Sequence, residues 1–361
     1  MRIFILLCFL IASLGLAAQT CSRLDAELAH LNYSIKAIPD NLASSRTAVV
    51  IYNQLEPVGD GWKTMASDMH SSLIQMAVDP VLYVNAFDQY ANDQVNKRFE
   101  EVLSQRRIAN LLIFVVKGAF EVEAVLVPLP RFTAKSIRGA AWKATSSALD
   151  GLLYTLGTAV KEADLRNSNF LIATKPEFLE DINLFQGDRL LNYPGAMRRQ
   201  KVGLALIEEM PVQSDMNDRQ KAAVTAYNLQ VQEMNPRLQE VFKQFEYDWQ
   251  PIVYTTDQAA MGDRIQYIVF MMSTSGEHIR RMLNYDLDKN ETDYLSVTPG
   301  PSLEDTQLKK ISAQDIVHKV YVRQTRSNDV FVGRDWDADD NAPDALRNFV
   351  YNWYRQVESA R

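Results

Sequence analysis

Two short stretches of the chain carry residue types that could bind a ligand or do chemistry. The first follows an apolar, strand-like run and precedes a helix-like run, and its polar members are Ser273, Ser275, His278 and Arg280. Free backbone amides at the start of a helix often bind an anion, and a nearby arginine adds positive charge. This stretch therefore predicts an anion or substrate site, and the alternative is a polar turn that holds no ligand.

The second stretch is an acidic loop near the C-terminus. Calcium takes about 6–8 oxygen ligands, and the oxygen-bearing side chains of the loop alternate at Asp335, Asp337, Asp339 and Asn341. The pattern then departs from a calcium-binding EF loop, because Asp340 stands in place of the glycine and Leu346 in place of the bidentate glutamate. We expect the acids to stabilise the positive end of the last helix instead, with calcium as the alternative and no other cofactor.

Motifs of the common enzyme classes are missing from the sequence. It contains no Gly-Lys pair of a phosphate-binding loop, no G-x-S-x-G elbow and no H-E-x-x-H zinc motif. The four histidines are far apart along the chain, so each is expected to be a core or surface residue rather than a metal ligand: His30, His70, His278 and His318. These observations favour a protein that is not an enzyme.

The first residues indicate export. Met1-Arg2 is followed by an apolar run to Leu16 and then by small residues, which is the pattern of a secretory signal covering residues 1–18, with cleavage after Ala18 or Gln19. Only Cys8 and Cys21 are present, so the mature chain cannot form an internal disulfide. We therefore predict a periplasmic or secreted protein. Lipid attachment at Cys21 is the minority alternative, because the residues before it match a lipoprotein signal poorly.

Composition limits the partners. The chain has 361 residues, 47% of them hydrophobic, and a formal net charge of −7. An acidic protein is a poor candidate for binding nucleic acid. We expect no transmembrane helix in the mature chain, and a protein or an envelope component as the partner.

The order of predicted elements occurs twice along the chain: strand, helix, strand, helix, strand, strand, helix. Phe170–Thr174 is the predicted first strand of the second copy, and residues 140–163 are predicted to form one long helix. A long helix over residues 217–245 is expected to break before Pro236, and residues 252–255 and 265–272 are expected to pair as strands. Asn96–Gln105 and Asn235–Gln244 share five of ten residues, which suggests an internal duplication.

The predicted fold is α/β, with two similar three-layer halves, mixed sheets, and a C-terminal β-hairpin and amphipathic helix. The predicted divisions are 1–18 (signal peptide), 19–165 and 166–295 (two α/β domains), and 296–361 (linker, hairpin and helix packing on the second domain). The favoured function is an exported, non-enzymatic protein-interaction or envelope-associated binding protein. The alternatives are an exported hydrolase, using the Ser273–His278 turn or a metal on the acidic loop, and a receptor binding a small molecule between the halves.

Overall fold

A computed structural model describes residues 17–56, 59–129, 139–179, 187–285, 293–300 and 306–358. Most of the predicted signal, residues 1–16, and the side chain of Cys21 lie outside this description. The chain divides into two compact units: Leu24–Ile182, here called the N-terminal unit, and a C-terminal unit that contains Asn183–Arg361. None of the described helices has both the length and the hydropathy that crossing a bilayer requires.

The N-terminal unit is built on a six-stranded mixed sheet in the order β1-β6-β5-β4-β2-β3. Its core packs the apolar faces of two helices, α2 and α5, against strands β2, β4 and β5, with Trp62, Phe114 and Trp142 among the buried side chains. The described elements up to residue 162 are α1 (Ala17–Leu28), β1 (Leu31–Tyr33), β2 (Arg46–Asn53), α2 (Gly61–Gln75), β3 (Asp79–Asn85), α3 (Ala86–Gln89), α4 (Asp93–Gln105), β4 (Ile108–Gly118), β5 (Glu121–Pro128), β6 (Gly139–Ser146) and α5 (Leu149–Glu162).

The C-terminal unit has a second six-stranded mixed sheet, in the order β7-β14-β13-β10-β8-β9, and a separate two-stranded hairpin, β11–β12. The core of this unit gathers aromatic side chains that include Phe242, Phe349 and Trp353. Its described elements are β7 (Arg189–Leu190), β8 (Val202–Leu206), α6 (Asp218–Phe242), β9 (Trp249–Val253), α7 (Asp257–Gly262), β10 (Tyr267–Ser275), α8 (Gly276–Met282), β11 (Asp293–Thr298), β12 (Gln307–Ser312), β13 (Ile316–Gln324), β14 (Val330–Phe331) and α9 (Ala342–Glu358).

The two six-stranded sheets have the same topology. When only the strands of the sheet itself are numbered, each sheet has the strand order 1-6-5-4-2-3. In each, the successive pairs are parallel, antiparallel, antiparallel, parallel and parallel. The predicted α/β fold with two similar halves is confirmed, as are the C-terminal hairpin β13–β14 and the helix α9.

Internal duplication stays a proposal. The shared segment Asn96–Gln105 lies in α4, which follows the third strand of its sheet, whereas Asn235–Gln244 begins in α6, which precedes that position. The two segments therefore occupy non-equivalent helices, and the local identity does not support the equivalence that the strand order suggests.

Three predicted elements are wrong in detail. Residues 139–146 form strand β6, because Trp142 is buried and pairs with Leu126 across the sheet, so the helix α5 begins only at Leu149. Strands β9 and β10 are not neighbours, since each pairs with an opposite side of β8. Helix α6 continues through Pro236 without a break.

The predicted strand Phe170–Thr174 is also wrong. These residues have no regular secondary structure, and the side chains of Phe170 and Leu171 are 79% and 98% exposed. A short apolar run predicts a buried strand only if a neighbouring strand accepts it. In this unit, the backbone of Tyr83 on the outer strand β3 instead pairs with a later segment, at Glu177 and Leu179.

Candidate functional site

The first predicted site lies where strand β10 meets strand β13. The hydroxyl of Ser273 is 2.7 Å from Nδ1 of His318, and the two residues are directly opposite each other in the antiparallel pair. Ser273 is half-buried and His318 is buried. Loss of solvation on burial lowers the pKa of His318 to about 4, although the nearby carboxylate of Asp339 acts in the other direction. The imidazole is therefore neutral at pH 7.

Backbone amides at the predicted anion-binding turn donate to protein acceptors. The amide of Gly276 donates to the carbonyl of Asp315 and that of Glu277 to the carbonyl of Ala313. The hydroxyl of Ser275 accepts from the amide of His278 and thereby caps helix α8. The donors that an anion would need here are engaged, and the ligand site at this turn stays a prediction.

Three of the four predicted ligand-binding residues, Ser275, His278 and Arg280, are buried. The ring of His278 lies inside the fold, and the guanidinium of Arg280 is 4.7 Å from the ring centre of Trp336 and 5.1 Å from that of Tyr294. A cation over aromatic faces is stabilised by their quadrupoles. This position makes Arg280 a packing element of the C-terminal unit.

The acidic loop directs its side chains to separate partners. Asp335 pairs with Arg355 at 2.8 Å, whereas Asp337 accepts from the buried ammonium of Lys319 and from the amide of Asn352. Asn341 accepts from the amide of Asp344 in the first turn of α9. Within the described residues, no group of three or more His, Cys, Asp or Glu side chains is placed to hold a metal ion. The calcium interpretation stays an untested prediction.

Asp339 is the most heavily bonded acid of this loop, and its side chain is fully buried. Its carboxylate accepts from Ser296 (2.5 Å), Thr298 (3.2 Å) and Lys309 (2.8 Å), and from the backbone amide of Asn341 (3.0 Å). Burial alone would raise the pKa of Asp339, but hydrogen bonds from its neighbours, including Lys309 and Ser296, hold it below its ordinary value. The carboxylate thus joins hairpin β11–β12 to the start of helix α9.

The two predicted sites meet at His318. The backbone amide of His318 donates to the carbonyl of Asp339 at 2.8 Å, and the amide of Asp339 donates to the carbonyl of His318 at 3.1 Å. Ser273, His318 and Asp339 therefore form one cluster, here called the polar centre. No metal-binding partner lies near His318 in sequence, and only strand register brings Ser273 opposite it.

Among the described residues of the N-terminal unit, the most exposed pair of adjacent apolar side chains, Phe170 and Leu171, does not belong to a predicted site. Phe170 and Leu171 lie in a loop, residues 168–173, that is fastened on both sides. On one side, the side-chain amide of Asn169 donates to the carbonyls of Leu42, Ser45 and Ala77. On the other, Nε2 of the buried His70 is 3.0 Å from the carbonyl oxygen of Ala173.

Further contacts hold this loop, here called the Phe170 loop, against the rest of the N-terminal unit. The amides of Ser168 and Asn169 both donate to the carbonyl of Ala43. Phe178, just beyond the loop, packs edge-on against Trp62 with ring centres 5.4 Å apart. The loop therefore holds its two exposed apolar side chains on a fixed backbone. Its sequence signal is a short apolar run preceded by Asn167 and Asn169.

Comparisons with models of known protein families, with curated proteins and with solved structures found no match to this chain.

Proposed function

We propose that this chain is an exported, non-enzymatic protein that binds another protein through the Phe170 loop. The observation that carries this proposal is the exposure of Phe170 and Leu171, at 79% and 98%, on a loop fastened at both ends. Exposed apolar residues scattered singly are ordinary, whereas contiguous exposed apolar surface marks interaction sites. Phe170 and Leu171 are adjacent and form such a surface. Fixing the loop before binding lowers the entropy lost on association.

The surroundings of the loop favour a protein partner over a lipid surface. Between residues 161 and 177 the exposed charges balance, three basic against three acidic: Lys161, Arg166 and Lys175, and Glu162, Asp164 and Glu177. An apolar centre with a mixed polar rim is the usual composition of a protein–protein interface. A loop that inserts into an anionic membrane gains affinity from an excess of Lys and Arg instead.

Burial of the two side chains could supply most of the energy of a moderate interaction. Burying a phenylalanine or a leucine contributes about 1.5–3 kcal/mol each. We therefore expect a partner with an apolar pocket that takes both side chains, and a loss of at least ~100-fold in affinity when both are replaced by serine.

The alternative of a hydrolase draws on the contact between Ser273 and His318. A general base works best with a pKa near the working pH, whereas burial brings that of His318 to about 4. The amides of the neighbouring turn, which could stabilise an oxyanion, donate to Asp315 and Ala313. Both features rank the hydrolase second. Covalent labelling of Ser273 by a fluorophosphonate, lost in His318→Gln, would reverse that ranking.

The test of the proposal uses the full chain and a matched control. Phe170→Ser/Leu171→Ser is compared with Phe120→Ser, which replaces an aromatic residue that is 83% exposed in the same unit. A partner recovered from envelope extract is purified, and its affinity for each variant is measured by calorimetry. We expect wild type and Phe120→Ser to bind equally and the double variant to bind at least ~100-fold more weakly.

Two results would contradict the proposal. One is equal binding by the double variant. The other is Phe170-dependent binding to protein-free phospholipid vesicles, which would make the loop a membrane contact.

Export is the second part of the proposal, and residues 1–18 support it. Mass spectrometry of the protein recovered outside the cytoplasm should find a chain that begins at Gln19 or Thr20. A chain that begins at Met1, or at a lipid-modified Cys21, would contradict this cleavage.

A further inference from the structure

Hairpin β11–β12 of the C-terminal unit has two different faces. Side chains alternate along β11, where Tyr294, Ser296 and Thr298 are buried, while Leu295 and Val297 are 62% and 48% exposed. On β12, Leu308 is 70% exposed and lies directly opposite Val297. The outer face of the hairpin is therefore apolar at its middle and open to solvent.

The inner face is fixed to the fold through Asp339. Ser296 and Thr298 from one strand and Lys309 from the other all donate to this buried carboxylate. The amide of Asn348, on helix α9, also donates to the hydroxyl of Ser296. The hairpin cannot turn its apolar outer face inward without breaking these bonds.

The outer face carries one charge of each sign. Lys310 lies opposite Leu295 and forms an ion pair with Asp293 at 2.9 Å, and the side chains of both charged residues reach solvent. Asp293, Leu295 and Val297 alternate along one strand, so they share this face with Leu308 and Lys310.

We propose that the outer face of hairpin β11–β12 binds the same face of a second copy of this chain. In a two-fold symmetric contact, each group must find its complement on an identical surface. The aliphatic centre meets this condition because apolar groups associate with one another. The charges meet it too, since Lys310 of one copy can pair with Asp293 of the other, whereas a face of one sign would repel its copy.

The small area of this contact makes the affinity between the two copies low. Each copy contributes three aliphatic and two charged side chains, far fewer than the roughly 20–30 residues that each side of a stable interface contributes. The dimer therefore forms at high local concentration and dissociates on dilution. This inference is independent of the Phe170 loop, which lies in the other unit.

The experiment measures the weight-average mass of the full chain by sedimentation equilibrium up to about 1 mM, a range that detects weak association. For wild type, the mass should rise with concentration towards twice the monomer value. Leu308→Lys should weaken the dimer at least tenfold, because it places a third charge at the centre of the face. Leu229→Lys, at a 60% exposed position on α6 of the same unit, is the matched control and should leave association unchanged.

Charge reversal provides a sharper test of the pairing between copies. Asp293→Lys and Lys310→Asp should each remain monomeric alone, because each gives a face of one sign. An equimolar mixture of the two should associate again, since opposite signs then meet in both pairs. A wild type that stays monomeric throughout, or a mixture that associates no more than its components, overturns the proposal.

Discussion

At the scale of the residue, burial of His318 couples folding to pH. The imidazole is buried and its pKa falls to about 4 in the folded chain, against ~6.5 for an exposed histidine. Between these two values the unfolded chain binds a proton that the folded chain does not. The contribution of the neutral, buried His318 to the free energy of unfolding is therefore fully present above about pH 6.5, and it is lost as the pH drops towards 4.

We predict that protonation of His318 in the unfolded chain lowers the free energy of unfolding by about 2 kcal/mol when the pH drops from 7.5 to 5. The figure follows from about 1.36 kcal/mol per pKa unit. Urea unfolding of wild type and His318→Gln at both pH values measures it. The variant should lose less stability on acidification. Ser273→Ala leaves the imidazole buried and should keep the wild-type dependence; an unchanged dependence in His318→Gln would refute the assignment.

At the scale of the element, helix α6 keeps a proline that should end it. Its last turns bury Leu238, Val241 and Phe242, which contributes about 1.5–3 kcal/mol for each side chain, against a cost of ~3 kcal/mol for an interior proline. Pro236 and Gln232, whose carbonyl loses its helical partner, are exposed, so water can satisfy that carbonyl. The side-chain amide of Asn235 accepts a hydrogen bond from the backbone N–H of Ile207 and donates one to its carbonyl. These two bonds fix the helix beside the segment that follows β8.

Pro236→Ala should accordingly stabilise the protein. We expect a gain of about 2 kcal/mol, since the restored hydrogen bond and the relief of strain exceed the loss of stiffness in the unfolded chain. Chemical denaturation gives the value. Leu229→Ala, at another exposed position of the same helix, should change stability by less than about 0.5 kcal/mol. A destabilised Pro236→Ala would mean that the proline has a role in packing.

At the scale of the whole molecule, residues 166–182 belong to the N-terminal unit. Asn169, Ala173 and Phe178 bond to or pack against elements between residues 42 and 83. A boundary at residue 182 keeps these contacts within one unit, whereas the predicted boundary at 165 would divide them.

The boundary can be tested with two fragments, 24–182 and 24–165. The longer one should unfold cooperatively and be at least about 3 kcal/mol more stable, because the shorter one loses the partly buried ring of Phe178 together with several hydrogen bonds. Equilibrium urea unfolding of both fragments measures the difference. Equal stability would show that residues 166–182 contribute nothing to this unit and would favour the boundary at 165.

The sequence by itself determined the fold class, most strands and helices, and the C-terminal hairpin and helix. These follow from periodicity within single segments: the β-branched run Thr47–Tyr52 becomes β2, and the apolar stripe of residues 346–357 becomes the buried face of α9. Such patterns report which side of an element faces a core, whatever that core contains.

The tertiary structure alone decided the conformation or exposure of residues whose local preference competes with contacts to residues distant in sequence. Trp142 became part of a strand because Leu126 lies opposite it, and Pro236 stayed helical because the turn after it is buried. Phe170 and Leu171 stayed exposed because β3 pairs with a later segment, and Ser273 met His318 through strand register. Each outcome depends on contacts between residues far apart in the chain, whose energy no local window of sequence contains.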